Sequence, residues 1–273
     1  MIEHFHRPGN VREALALKKR FQGRAVFLAG GTYVNSNACA LHPEHLISLA
    51  GLGLERIEVK PGVVTIGALC TLQRLIEDRR VPSALQAAAA LVVSRNVREA
   101  ATLGGHVAGN LPSSDVIPML VALGAKVGVS RPGAAKTILV EDYVKKPAAG
   151  LLTKIIVPRP KAGRVAVCRT ARASANARSV VSVALCLTIA RAIVKDPVIA
   201  LSGVAGHVVR LTSVEEALDG KSLPATDELQ ALVSRSVRPA ADLTGSAAFR
   251  RYQAGTLVAL ALQDALQQKR GRS

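Results

Sequence analysis

The chain has 273 residues, 49% of them hydrophobic and 20% charged, which is enough for one large domain or two or three small ones with a buried core. Its net charge of +17 attracts polyanions and acidic proteins, yet only 3% of residues are aromatic and no nucleic-acid reader motif is present, so nucleic acid is not the expected partner. Four cysteines with no C-x-x-C or close pair argue against an iron–sulfur cluster or a disulfide framework in this chain.

From the N-terminus, "MIEHFHRPGN" carries charge and proline where a secretory signal has an apolar run, and no stretch approaches the roughly eighteen apolar residues of a membrane span. A soluble, cytoplasmic protein is expected. Asn10 can cap a helix over "VREALALKKRF", and "AVFLAGG" reads as a buried strand entering a glycine turn. "HLISLA" is the next strand, and "LERIEVKPGVVTIGA" alternates around Pro61-Gly62 as a hairpin does. "TLQRLIEDRR" and "PSALQAAAALVVS" have helical character and lead to a second glycine-rich turn. "DVIPMLVALG" is a helix ending at Gly124, followed by "AKVGVS", a turn at Arg131-Pro132-Gly133, "KTILV" and a strand from Thr153 to Val157. "PRPKAGR" has linker composition. Beyond it come two strands around "CRTARASANARS", then strand, turn, strand and helix over "PVIALSGVAGHVVRLTSVEEALDG", and a long helix with a charged tail. The sum is an α+β fold: a small α/β unit over 1–53, a larger α+β unit over 54–160, and a C-terminal domain of sheet plus helices over 161–273.

Two segments carry adjacent glycines, "FLAGGTYVNS" at residues 27 to 36 and "ATLGGHVAGN" at 101 to 110. Glycine permits positive φ and lets backbone N–H groups approach an anion, which is how loops without lysine cradle a diphosphate. Neither segment has P-loop or G-x-G-x-x-G spacing, and each alone is more often a plain turn. The pair, with Asp115 available to accept hydroxyl hydrogen bonds, points to a nucleotide.

The order "AGGT" after a strand, then "TLGG", five residues, "LPSSD" and "IPMLVALGAKV" resembles the FAD-binding medium subunit of molybdenum-containing hydroxylases, the xanthine dehydrogenase and carbon monoxide dehydrogenase family. The opening "MIEHFHRPGNVREALALKKRF" and closing "LTGSAAFRRYQAGTLVALALQDAL" are similar to stand-alone flavin subunits of bacterial xanthine-dehydrogenase-like enzymes. The resemblance implies FAD held by a first loop, Leu28, Ala29, Gly30, Gly31, Thr32, Tyr33 and Val34, and a second, Ala101, Thr102 and Gly105. It implies that Ser114 and Asp115 bind polar groups of the cofactor, and that Leu151 and Leu152 flank the isoalloxazine. His106 stands where the family usually has Asn, Gly109 where many members have Thr, and Leu111 replaces a small polar residue. Arg169 and Arg172 are candidates for a positive charge beside the flavin. The implied function is electron transfer: iron–sulfur clusters on a small partner subunit and a molybdenum cofactor on a large one, with NAD as a plausible acceptor.

Two other readings belong to different classes: a flavin-free structural subunit of such a complex, and a basic nucleic-acid-binding protein. Cys39, His42 and His45 are spaced C-x-x-H-x-x-H, but Pro43 interrupts them and no fourth ligand is evident, so a metal is not expected. His4, His6 and His207 read as surface or packing residues, and no G-x-S-x-G elbow suggests a hydrolase. Lys18, Lys19 and Arg20, or Arg250 and Arg251, are candidate sites for steering toward acidic partners.

Overall fold

The computed structural model describes residues 2–36, 41–92, 94–174 and 177–270. The first elements are β1 (His4–His6), α1 (Val11–Phe21), β2 (Ala25–Leu28) and β3 (His45–Ser48), and the strands form a parallel sheet in the order β1-β3-β2. The α1 start is the one its sequence promises. Asn10 accepts the Glu13 N–H at 2.9 Å while the Glu13 carboxylate accepts the Gly9 N–H at 2.8 Å, a reciprocal cap. His45 is buried, stacked on Phe21 with ring centroids 3.8 Å apart and on His4 at 4.7 Å. These rings pack face to face rather than converging on a point; Cys39 lies outside the described residues.

The central unit runs β4 (Ile57–Lys60), β5 (Val63–Gly67), α2 (Leu72–Glu77), α3 (Ser83–Ala90), α4 (Arg95–Ala100), α5 (Leu103–Gly109), α6 (Val116–Ala122), β6 (Lys126–Arg131), β7 (Ala134–Leu139), α7 (Val140–Lys145) and β8 (Leu151–Pro158). Its strands make an antiparallel sheet in the order β4-β5-β8-β6-β7, with Pro61-Gly62 turning the first hairpin and Pro132-Gly133 the second. Every residue of α6 is buried because the helix is covered on a second side by the C-terminal sheet. A helix apolar all round requires this double cover. The second glycine segment departs from expectation: it folds as the helix α5 rather than as a turn, with the further helix α4 before it.

The remainder is β9 (Arg164–Arg172), β10 (Ser179–Ala190), β11 (Ile193–Ser202), β12 (Val209–Arg210), α8 (Thr212–Leu218), α9 (Thr226–Ser236) and α10 (Ala247–Arg270), with sheet order β12-β11-β10-β9. Helix α10 packs on β9, β10 and α9, and buries Ala254, Val258, Ala261 and Ala265. Arg250 is no docking residue. It is 5% exposed and donates to the carbonyls of Val180 at 2.9 Å and Gly203 at 2.8 Å while pairing with Asp242 at 2.7 Å. Buried carbonyls at strand ends need a donor, and a long cation from α10 supplies two. No helix among the described residues is long and apolar enough to cross a membrane.

Candidate functional site

A cleft of about 320 Å³ opens between the turn after β2, helix α5 and the segment 111–115. It collects most of the residues expected from the sequence: Ala29, Gly30, Gly31, Thr32, Tyr33 and Val34 on one wall, Ala101, Thr102, Gly105, His106 and Gly109 on the other, and Ser114 with Asp115 at one end. Leu28, Leu151 and Leu152 do not line it. Leu28 closes β2, while Leu151 packs with Ala14 and Ile47 and Leu152 joins the central core, both side chains being enclosed by protein.

The first wall is one tight turn. Leu28 is the last strand residue, Gly31 takes φ +71°, and the chain closes with Asn35 N–H on the Gly31 carbonyl and Ser36 N–H on the Tyr33 carbonyl, both at 2.9 Å. Among the described residues, the backbone N–H groups of Gly30, Gly31, Thr32, Tyr33 and Val34 have no hydrogen-bond partner. Five successive unpaired donors on residues that line the cleft are electrically like a helix N-terminus.

The second wall works differently. Thr102 caps α5 by accepting the Gly105 N–H at 3.1 Å, and its carbonyl takes the His106 N–H at 2.8 Å. The N–H of Leu103 goes to the Cys70 carbonyl at 2.9 Å and that of Gly104 to Ala68 at 2.8 Å. All four amides from Leu103 to His106 are therefore engaged within the protein. The glycines here serve packing: a Cβ on Gly104 would lie 2.5 Å from the Ala68 Cβ. The same holds for the first glycine of the other pair, since a Cβ on Gly30 would sit 1.7 Å from the Ala100 carbonyl oxygen. Gly30 is what lets the two walls touch.

At the end of the cleft Ser114 Oγ accepts the Val116 and Ile117 N–H groups at 3.2 and 2.9 Å, capping α6, and lies 2.8 Å from His106 Nε2. With both lone pairs of the hydroxyl occupied, its proton goes to Nε2, which requires a neutral imidazole. Burial agrees, lowering the His106 pKa to about 4. Asp115 faces the other way as well. It accepts from Ser179 and Ser182 of β10 and from Arg172 of β9 at 3.4 Å, which ties the start of α6 to the C-terminal sheet. Burial pushes its carboxyl pKa up, opposed by the two serines and Arg172.

The flavin-side candidates of β9 fall outside the cleft. Arg169 is bound by Asp264 of α10, and Arg172 reaches the Leu91 carbonyl at 2.8 Å besides Asp115. Two cations that the sequence did not assign to the site do line it. Lys18 donates to the carbonyls of Gln22, at 2.9 Å, and Ala25, and burial lowers its pKa, so it is a cleft residue rather than a free docking charge. Arg178 donates no hydrogen bond to any described residue and projects on the wall beside Ser113 and Ser179. Phe27, Leu41, Val92, Val97 and Leu111 complete an apolar flank. Only the contact of distant elements reveals these, because neither local spacing nor motif marks them.

Residues 1–160 match the family described as "FAD binding domain in molybdopterin dehydrogenase", and residues 166–265 match "CO dehydrogenase flavoprotein C-terminal domain". The Escherichia coli (strain K12) protein YgfM, described as uncharacterized, is 37% identical over 261 residues that cover 95% of each chain. The carbon monoxide dehydrogenase medium chain of Afipia carboxidovorans is 27% identical, with 96% of each chain covered. In a solved structure of carbon monoxide dehydrogenase from Hydrogenophaga pseudoflava, which lacks the Mo-pyranopterin moiety of the molybdenum cofactor, one chain superposes with a TM-score of 0.92 at 26% identity and 98% coverage of both chains.

Proposed function

The chain belongs to the FAD-binding medium subunits of the molybdopterin dehydrogenases, an oxidoreductase family, and from that premise we propose that it holds one FAD in the cleft between its glycine turn and α5. In this reading units 1–53 and 54–160 share the cofactor and 161–273 backs them. The subunit takes electrons from iron–sulfur clusters on a small partner, fed by a molybdenum cofactor on a large one, and passes them to an acceptor such as NAD in the cytoplasm.

The observation that carries the proposal is the run of free amides from Gly30 to Val34 at the cleft wall. A diphosphate satisfies such donors without any lysine, and charge-assisted bonds of this kind are the strong ones. The apolar flank suits an aromatic ring system, and Arg178 with the hydroxyls of Thr32 and Ser113 suits the polar remainder of a dinucleotide. Bound flavin supplies the redox chemistry; the protein contributes placement and electrostatics. The neutral His106 keeps a cation away from this end of the cleft, and the Gly30 contact fixes the separation of its walls.

Equilibrium dialysis of the purified full chain against FAD tests the binding, with one flavin per chain expected. A folded chain that stays colourless at tens of micromolar FAD, a concentration at which weak sites of about −6 kcal/mol already fill, favours the flavin-free structural subunit instead. Co-purified partner subunits reducing NAD in the presence of substrate, and failing to do so without this chain, test the electron-transfer step.

A further inference from the structure

A second cavity, of about 340 Å³, lies where the central unit, the connection from β8 to β9 and the end of α10 meet. Its wall holds five cationic side chains, Arg79, Arg80, Arg159, Lys161 and Arg164, and no carboxylate among the described residues. Two of the five are already compensated. Arg80 is clasped by Asp78 and donates to the Ile57 carbonyl at 2.9 Å, while Arg164 donates to the carbonyls of Cys186 and Asp196 at 3.1 and 3.0 Å and lies 3.9 Å from the Asp196 carboxylate. The other three are not. The side chains of Arg79 and Lys161 make no hydrogen bond or ion pair with any described residue, and that of Arg159 makes one, to the Arg80 carbonyl at 3.0 Å.

Like charges gathered around one concavity raise its potential, and the wall focuses it. A compact anion of two or more charges matches this arrangement. Ser83 adds a hydroxyl on the same wall. No aromatic side chain lines the cavity, so a nucleotide base has nothing to stack on. We propose that this cavity is a site for a small phosphate-class anion, separate from the cofactor cleft, which on binding pins the connection between β8 and β9 to α3 and α10. The proposal does not rest on the flavin reading.

The test is isothermal titration of the full chain, with FAD present in excess, by sodium pyrophosphate at constant ionic strength. One saturable site per chain is expected, with a Kd below about 1 mM. R79Q/K161Q removes two cations that hold nothing else in place, so it should fold normally and weaken pyrophosphate about ten- to a hundredfold. Gly31→Ala, in the cofactor cleft, should leave this binding unchanged. Pyrophosphate should also slow tryptic cleavage after Arg164 in the wild type and not in R79Q/K161Q. An unsaturable isotherm, equal affinity in R79Q/K161Q, or loss of binding in Gly31→Ala overturns the assignment.

Discussion

The two walls of the cleft look alike as sequence, each an adjacent glycine pair followed by a threonine or histidine, and they do opposite things. In the turn from Gly30 to Val34 the backbone leaves the sheet and five N–H groups find no carbonyl among the described residues. In α5 the first three N–H groups, which a helix start normally leaves free, are engaged by Cys70, Ala68 and the Thr102 hydroxyl. One segment is a donor surface and the other a rigid backstop. Adjacent glycines therefore report close approach of backbone, that of Ala100 to Gly30 in the first segment and that of Ala68 to Gly104 in the second.

The contact between the walls is the most sensitive point of this comparison. Gly30→Ala sets a Cβ against the Ala100 carbonyl, which is backbone and cannot swing aside, so the two walls must separate. Forced overpacking of this kind costs about 3 kcal/mol or more, and thermal unfolding should record a drop of many degrees together with loss of flavin. An unchanged Tm would mean the walls are not held in contact at Gly30.

Next in size is a pH effect at the backstop. His106 has a pKa of about 4 in the fold against an ordinary value near 6.5, so the unfolded chain binds the extra proton first as pH falls. Stability is fully present above the unfolded value and declines as pH falls from about 6.5 to about 4, by at most about 3 kcal/mol. Protonated Nε2 would also turn a donor toward Ser114 Oγ, whose lone pairs already serve α6. His106→Asn should flatten denaturant midpoints over that pH range, whereas a midpoint curve of unaltered shape in the variant would assign the acid sensitivity to another group.

Much of this was legible in the sequence. The cap at Asn10, both Pro-Gly hairpins and the apolar run of α6 announce themselves through local chemistry, and the pair of glycine segments located the cleft. What escaped is of one physical kind. Helix α5 reads as a loop because three glycines hide a helix whose stability comes from Thr102 and from packing on Ala68. Arg250 reads as surface charge because burial of a cation depends on two strand-end carbonyls far away in sequence. The protein partners of Asp115, Ser179 and Ser182, lie on a strand more than sixty residues on. Tertiary partners are invisible to spacing.

A smaller effect should mark the donor wall. Gly31 holds φ +71°, a conformation that costs an alanine about 1–2 kcal/mol, so Gly31→Ala should distort the turn locally and aim its free amides badly. Flavin affinity should fall about tenfold while Tm moves only a few degrees, as titration and melting of the same sample would record. If Tm falls steeply and affinity stays intact, the turn is structural and the roles of the walls are reversed.

The smallest expected change asks how strictly the backstop stays out of binding. Thr102→Ala removes the Oγ1 that receives the Gly105 N–H and so the cap of α5, a loss of about 1 kcal/mol, while Thr102→Ser keeps the acceptor and should restore it. Because the amides behind it are engaged by protein, the alanine variant should lose stability and less than about threefold in flavin affinity, below the half kcal/mol floor of one ordinary hydrogen bond or just above it. The Thr102 hydroxyl proton has no acceptor among the described residues, so it is a donor this wall can offer. A tenfold loss of flavin in Thr102→Ala, recovered by serine, would show that proton on the cofactor, and α5 would then be a partner in binding rather than only the surface the turn works against.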